Sequence, residues 1–321
     1  MLSVLFSAPY MIPILDKLLP IFTRNDITLL VPDVHEHLSE ETLLGYAGQF
    51  DGAVCGDDRY SERVLRACAP RLKVISKWGT GIDSIDREAA QQYGIKVFNT
   101  PNAFTLPVAD TVLGYMLAFV RRLPWMDRQM KLGIWDKIPG RSLSECVLGV
   151  VGVGNVGKAV IRRARVFGMI LLGNDIIEIA PDFVRENRLE MVPLEELLGR
   201  ADFVSLNCDL NPTSHHLINA RTLALMKSSA VLINAARGPV VDEPALIDAL
   251  ASGKIAGAAL DVYEHEPLPP GNPLLKMDNV MLAPHNANSS PAAWERVHLN
   301  TLRNLFIGLN LPVDNLVIQE V

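Results

Sequence analysis

Between Cys146 and Gly168 the chain reads CVLGVVGVGNVGKAVIRRARVFG. An apolar run ends in three glycines, Gly152, Gly154 and Gly157, and a stretch with Val156, Val160 and Ala164 at helical spacing follows at once. Strand, tight turn and helix in that order commit this part of the chain to a parallel α/β sheet. The first glycine permits the turn, the second lets a pyrophosphate approach the backbone, and the third lets helix and strand pack closely. The N–H groups of Asn155 and Val156 then face the phosphates at a helix N-terminus, where the dipole favours anions. Asp175 closes the next run, MILLGND, about 20 residues past the turn, where a carboxylate accepts from ribose hydroxyls. It repels a 2′-phosphate and no arginine follows in NDIIEI, so the expected cofactor is NAD rather than NADP. The plainer alternative is a tight turn beside a solvated acid. A methyltransferase uses a similar turn for an adenosyl cofactor, so the glycines alone name no reaction.

The motif sits in mid-chain with folded-looking sequence on both sides. Strand candidates SVLFS, ITLLV, GAVC, KVISKW and IKVFN precede it; CVLGVVG, MILLGN, FVSLN, AVLINA, AGAALDV and NVMLAP continue from it. Amphipathic stretches separate these runs, so the fold class is α/β with two doubly wound parallel sheets. Turn-rich pieces, FNTPNA near Thr100 and PHNANSSPAAW after Pro284, mark the joints. The tail WERVHLNTLRNLFIGL gives a helix too late for the second sheet, and it is expected to return to the first domain. The expected organisation is a Rossmann NAD-binding domain, 100–287, inserted into a flavodoxin-like substrate domain, 1–99 plus 288–321, with a cleft between them. A length of 321 residues suits two such cores, and 49% hydrophobic residues supply them.

Several classes are disfavoured. The formal charge is −6 with no long basic run, so nucleic acid is not an expected partner. Cys55, Cys68, Cys146 and Cys208 form no CxxC pair, which gives no metal-site spacing and suits a reducing compartment. The opening MLSVLFSAPYMIPIL lacks a basic start and is broken by Pro9 and Pro13, and LPVADTVLGYMLAFV is too short for a bilayer and carries Asp110. No membrane span is expected, and the expected compartment is the cytoplasm.

In open parallel sheets ligands bind beyond the carboxyl ends of the strands. Arg237 follows AVLINAA, Glu266 follows AGAALDVYEH and His285 follows NVMLAP, so the three can converge. A guanidinium holds a carboxylate by two parallel hydrogen bonds. An imidazole exchanges a proton near neutral pH, and a neighbouring carboxylate fixes its tautomer. Taken singly, each has a duller reading as a turn or surface group. His35, His37, His215, His216, His265 and His298 lack such a setting and read as loop or surface residues. Lys77, Trp78 and Trp135 read as packing or surface residues, with a pocket-lining role as the alternative.

The stretches KWGTGIDSID, NTPNAFTLPVADTVLGYMLA, LGVVGVGNVGKAV, LMKSSAVLINAARGPVVDEPAL, AGAALDVYEHEPLP and NVMLAPHNA resemble, in order and nearly end to end, the D-isomer-specific 2-hydroxyacid dehydrogenases of the phosphoglycerate dehydrogenase type. The resemblance implies that Arg237 binds the substrate carboxylate, that His285 is the acid/base and that Glu266 pairs with its imidazole. It implies that Asp261 contacts the nicotinamide carboxamide, that Ala235 lines the cofactor, and that Gly79, Thr80 and Gly81 offer N–H groups to the substrate. It further implies a homodimer with the VADTVLGYMLAF helix near the two-fold, although core packing explains that helix equally. Asn286, Asn288, Asp110 and Pro107 depart from the usual pattern and bear on the substrate and on closure. No appended regulatory domain is expected, because the chain ends soon after its return helix. The expected activity is NAD-dependent interconversion of a small D-2-hydroxy acid and its 2-oxo acid. The alternative is an NAD(H)-sensing binding protein of the corepressor type, which shares the architecture and the polar trio.

Overall fold

A computed structural model describes residues 1–313 and residue 316. The chain divides into two compact units, one built from Met1–Phe104 with the chain from Ser290 on, the other from Thr105–Ser289. The first division falls just past the turn at Thr100 because the Phe104 ring packs on Trp78, with centroids 5.3 Å apart.

The first unit runs β1 (Leu2–Phe6), α1 (Leu15–Arg24), β2 (Ile27–Leu30), α2 (Glu40–Gly45), β3 (Gly52–Cys55), α3 (Glu62–Cys68), β4 (Val74–Lys77), α4 (Arg87–Gln92) and β5 (Lys96–Phe98). All pairings are parallel, in the order β2-β1-β3-β4-β5, the flavodoxin-like arrangement. Every residue of β3 and β4 is buried, as strands covered on both faces require, whereas the edge strands β2 and β5 carry exposed positions. Ser39, Ser61 and Asp86 each accept a hydrogen bond from an amide in the first turn of α2, α3 and α4, which sets where those helices begin.

The second unit contains α5 (Thr105–Val120), α6 (Leu123–Lys131), β6 (Val147–Val151), α7 (Asn155–Val166), β7 (Ile170–Asn174), α8 (Pro181–Asn187), β8 (Leu189–Met191), α9 (Leu194–Arg200), β9 (Phe203–Leu206), α10 (Ala220–Leu225), β10 (Val231–Asn234), α11 (Glu243–Ala251), β11 (Gly257–Leu260) and β12 (Val280–Leu282). Its seven strands are all parallel in the order β12-β11-β10-β9-β6-β7-β8. The order reverses between β6 and β9, and that switch point is where an open sheet of this kind leaves a crevice at its carboxyl edge. Helix α5 buries Ala109, Val112, Tyr115, Met116 and Phe119 in the core that also holds Val160, Ile161 and Ala164 of α7. Core packing therefore accounts for much of its apolar character.

Helix α12 (Pro291–Gly308) lies on β3 and β4 of the first unit. Ser76 donates to the carbonyl of Thr301 at 2.7 Å. A Cβ on Gly308 would sit 2.2 Å from Val74 Cγ2, so helix and sheet meet at a glycine. Among the described residues no helix is long and apolar enough to cross a membrane.

Candidate active site

The glycine turn leaves β6 at the switch point, and its glycines do different things. Gly152 has φ +87°, and a Cβ there would lie 2.6 Å from Cys208 N and 2.7 Å from Asn207 C, in the chain leaving β9. A Cβ on Gly157 would meet Gly152 O at 2.0 Å. Both are demanded by the protein's own packing. Gly154 is not: its φ of −73° is ordinary, and a Cβ would meet nothing within 4 Å. The missing side chain there leaves open space over the N-terminus of α7, on Asn155 and Val156, which fits an anion seated against the backbone. As N-cap, Gly154 brings no side chain to close that end.

Asp175 follows β7 and accepts from Val153 N at 2.6 Å and from Ile177 N at 3.1 Å. The acid thus ties the glycine turn to the neighbouring strand end. The two residues after it, Ile176 and Ile177, are exposed.

Arg237, Glu266 and His285 follow β10, β11 and β12, adjacent parallel strands, so all three emerge at one edge of the sheet. Buried Asn234 ends β10 and staples the next turn, donating to Arg237 O at 2.9 Å and accepting from Ala236 N at 3.1 Å. Ala235 is the first residue of that turn. Arg237 is half-buried and donates to Ala236 O at 2.9 Å. Glu266 receives Tyr263 N on one oxygen at 2.9 Å, and its other oxygen lies 2.8 Å from His285 Nδ1. A carboxylate offers only lone pairs, so Nδ1 carries the hydrogen of this bond, and a neutral ring has its lone pair on Nε2. About a quarter of each side chain is exposed, 24% for His285 and 25% for Glu266, enough to meet a ligand while remaining fixed.

His285 has φ +50°, in the left-handed region that few residues other than glycine adopt. Asp261 holds it there. The carbonyl of Asp261 accepts His285 N at 2.8 Å, and its carboxylate accepts Asn286 N at 2.8 Å and Ala287 N at 2.9 Å. Burial, with only 1% of the residue exposed, raises the Asp261 carboxyl from its ordinary value against these bonds. Tyr263 adds a second tether, donating to Leu260 O at 3.2 Å and Ala283 O at 2.9 Å, and burial pushes its phenol up to about 12, so it stays a donor. The anchoring parts played by Asn234, Tyr263 and Asp261 have no local sequence signal, since each bridges a turn or two strands.

In the first unit, Gly79 has φ +118° directly after β4 and Trp78. Its N–H donates to Thr100 Oγ1 at 3.2 Å, and its carbonyl accepts from Thr100 N at 2.9 Å. Thr80 is exposed and Gly81 half-buried. Lys77 is buried and paired with Asp57 at 3.0 Å, Trp78 is buried, and Trp135 is 83% exposed. His298 overturns its reading as a loop or surface group: it lies on α12, 7% exposed, and accepts Trp78 Nε1–H on Nδ1 at 3.0 Å. Burial lowers its ring to about 4. His216 is tied to Glu264 at 2.7 Å. No cluster of three or more histidine, cysteine, aspartate or glutamate side chains that could hold a metal ion forms among the described residues.

A dinucleotide turn at the switch point of a parallel sheet, with a histidine–carboxylate pair at neighbouring strand ends, defines a nucleotide-dependent α/β oxidoreductase. Residues 113–287 match the NAD-binding domain of the D-isomer-specific 2-hydroxyacid dehydrogenases. A glyoxylate reductase of Korarchaeum cryptofilum is 42% identical over 261 residues, 79% of this chain and 78% of that protein. A D-3-phosphoglycerate dehydrogenase of Methanocaldococcus jannaschii is 41% identical over 265 residues, 81% of this chain but 50% of that protein. The crystal structure of a D-lactate dehydrogenase from Aquifex aeolicus with NAD and lactic acid superposes with a TM-score of 0.86 at 27% identity, covering 96% of this chain and 95% of that one. The chain belongs to the NAD-dependent D-isomer-specific 2-hydroxyacid dehydrogenase family.

Proposed function

We propose that the protein interconverts a small D-2-hydroxy acid and its 2-oxo acid, with His285 as acid/base. The observation that carries this is the 2.8 Å bond between His285 Nδ1 and Glu266, on a turn that Asp261 holds in a left-handed conformation. The backbone of the turn Gly152–Gly157, with the N–H groups of Asn155 and Val156 opened by Gly154, would hold the cofactor's pyrophosphate, Asp175 its ribose, and Ala235 and Asp261 would line its nicotinamide end. When bound, that cofactor supplies or accepts the hydride. Arg237 grips the substrate carboxylate by a planar fork and orients the carbonyl. In the reducing direction His285 gives its Nε2 proton to the carbonyl oxygen, and in oxidation it takes that proton back. Glu266 stabilises the imidazolium in between.

The relatives' names support small 2-oxo acids as substrates. Four free cysteines support a reducing, cytoplasmic setting. Exposed apolar side chains after α6, Leu132 at 71% and Trp135 at 83%, support a homodimer that covers them. The deciding experiment follows NADH consumption with glyoxylate, hydroxypyruvate, pyruvate and phosphohydroxypyruvate. Turnover of at least one, giving the D-hydroxy acid, is expected. Tight NADH binding with no turnover of any 2-oxo acid contradicts this reading and favours the sensor.

A further inference from the structure

The loops that carry Arg237 and Glu266 are rooted in β10 and β11, but both side chains lie several residues beyond the strands that fix them. Something must hold the loops in register, because errors of about 1 Å at such groups cost on the order of a hundredfold in rate. Two contacts outside the catalytic trio do this. First, Gly238, next to Arg237, lies flat against the other loop: a Cβ there would fall 1.8 Å from Tyr263 O and 2.5 Å from Glu264 N. Second, His216, from the turn after β9, reaches both loops. Its main-chain N–H donates to Pro239 O at 2.8 Å, two residues past Arg237, and its ring Nε2 lies 2.7 Å from Glu264 Oε1, two residues before Glu266.

The same carboxylate oxygen of Glu264 accepts Glu243 N at 3.3 Å, and Glu264 N donates to Glu243 Oε2 at 3.2 Å. Asn272 adds a bond to Glu243 at 2.7 Å. The Glu266 loop is therefore locked to the start of α11, and His216 joins that lock to the Arg237 loop. His216 reaches this position at φ +48°, a conformation a histidine adopts only when its surroundings impose it. Its main-chain carbonyl is held by Asn219 Nδ2 at 2.8 Å, and the ring stacks on His215 with centroids 4.1 Å apart.

We infer that His216 and Glu264 are positioning residues, a histidine–carboxylate strap that fixes the Arg237 loop and the Glu266 loop relative to each other. The inference rests on Arg237 and Glu266 acting as proposed above. Neither strap residue is assigned a contact with substrate or cofactor.

The test compares the parent with His216→Ala, Glu264→Ala, the double variant and His216→Gln, whose amide can still donate to Glu264. Each alanine variant is expected to lose about ten- to a hundredfold in kcat/KM for the 2-oxo acid. The double variant should be no worse than the weaker single, as for one shared interaction. His216→Gln should recover most of the loss, and NADH affinity, read by fluorescence titration, should move less than about twofold. Activity within about twofold of the parent in both alanine variants, or losses that multiply in the double, overturns the inference.

Amide hydrogen exchange over residues 235–241 and 261–267 in the full chain without cofactor gives a readout independent of turnover. Faster exchange of both segments in the alanine variants, restored in His216→Gln, is expected, and unchanged exchange overturns the strap. A parent that turns over no 2-oxo acid contradicts the functional reading alone, and exchange then decides the inference by itself.

Discussion

The glycines of the nucleotide turn separate what folding needs from what binding needs. Gly152 and Gly157 touch backbone so closely that any side chain must displace it, whereas Gly154 faces open space with an ordinary φ. Gly157→Ala should therefore destabilise the unit by roughly 1–3 kcal/mol, the usual cost of forcing atoms into a packed site. Gly154→Ala should cost the cofactor-free protein less, at most about 1 kcal/mol from the poorer helix cap, while weakening NADH binding by about tenfold or more, since the methyl occupies space needed by phosphate. Melting curves and NADH titration on the two variants check this, and parental affinity in Gly154→Ala would count against the anion site. These glycines were legible because their constraint is local: spacing, a preceding strand and a following helix. The bonds that set the His285 turn were not, because Asp261 and Asn286 come from segments whose meeting depends on β11 and β12 being neighbours. A histidine after a strand is visible in sequence; the left-handed backbone that aims it is not.

At the scale of elements, strands buried on both faces announce themselves as continuous apolar runs, and the runs read in sequence coincide with β1 to β7 and β9 to β12. Strand β8 escaped that reading because Leu189–Met191 has three residues with an exposed glutamate at the centre. The docking of α12 on β4 was visible only as a helix too late for the second sheet, and His298 on it read as a loop or surface residue. Nothing local distinguishes His298 from a surface histidine, because Trp78 Nε1–H reaches it from 220 residues away in sequence. That bond needs an unprotonated Nδ1. With the folded ring at about 4, and about 6.5 as its ordinary value, protonation favours the unfolded chain. The stabilisation is complete above pH 6.5 and is lost as pH falls toward 4, amounting to about 2 kcal/mol by pH 5. Buried Asp58, raised to about 6 by desolvation, acts with the opposite sign, since it binds its proton more readily when folded. The difference from His298→Asn, which keeps an acceptor but does not titrate, isolates the histidine. In urea unfolding, the parent should lose about 2 kcal/mol more than the variant between pH 7 and pH 5. Equal pH dependence of the two would contradict the buried, unprotonated ring.

For the whole molecule, the decisive feature is that each unit has its own parallel sheet while the proposed acid/base machinery lies within the second alone. Thr105–Ser289 contains the glycine turn, Asp175, Arg237, Glu266 and His285, so one continuous stretch of chain sets their mutual geometry. The first unit closes only when α12 comes back from the far end of the sequence. The two-sheet organisation was legible because the strand–helix alternation restarts at Cys146. The side chain of the 2-oxo acid was not, since no short motif encodes the shape of a substrate pocket. The central claim is that the imidazole held by Glu266 moves the proton, and comparing the parent with His285→Ala under saturating NADH tests it most directly. The account predicts a fall in kcat for 2-oxo acid reduction of about two to four orders of magnitude, with NADH affinity within about twofold of the parent. Activity within about tenfold of the parent would contradict it.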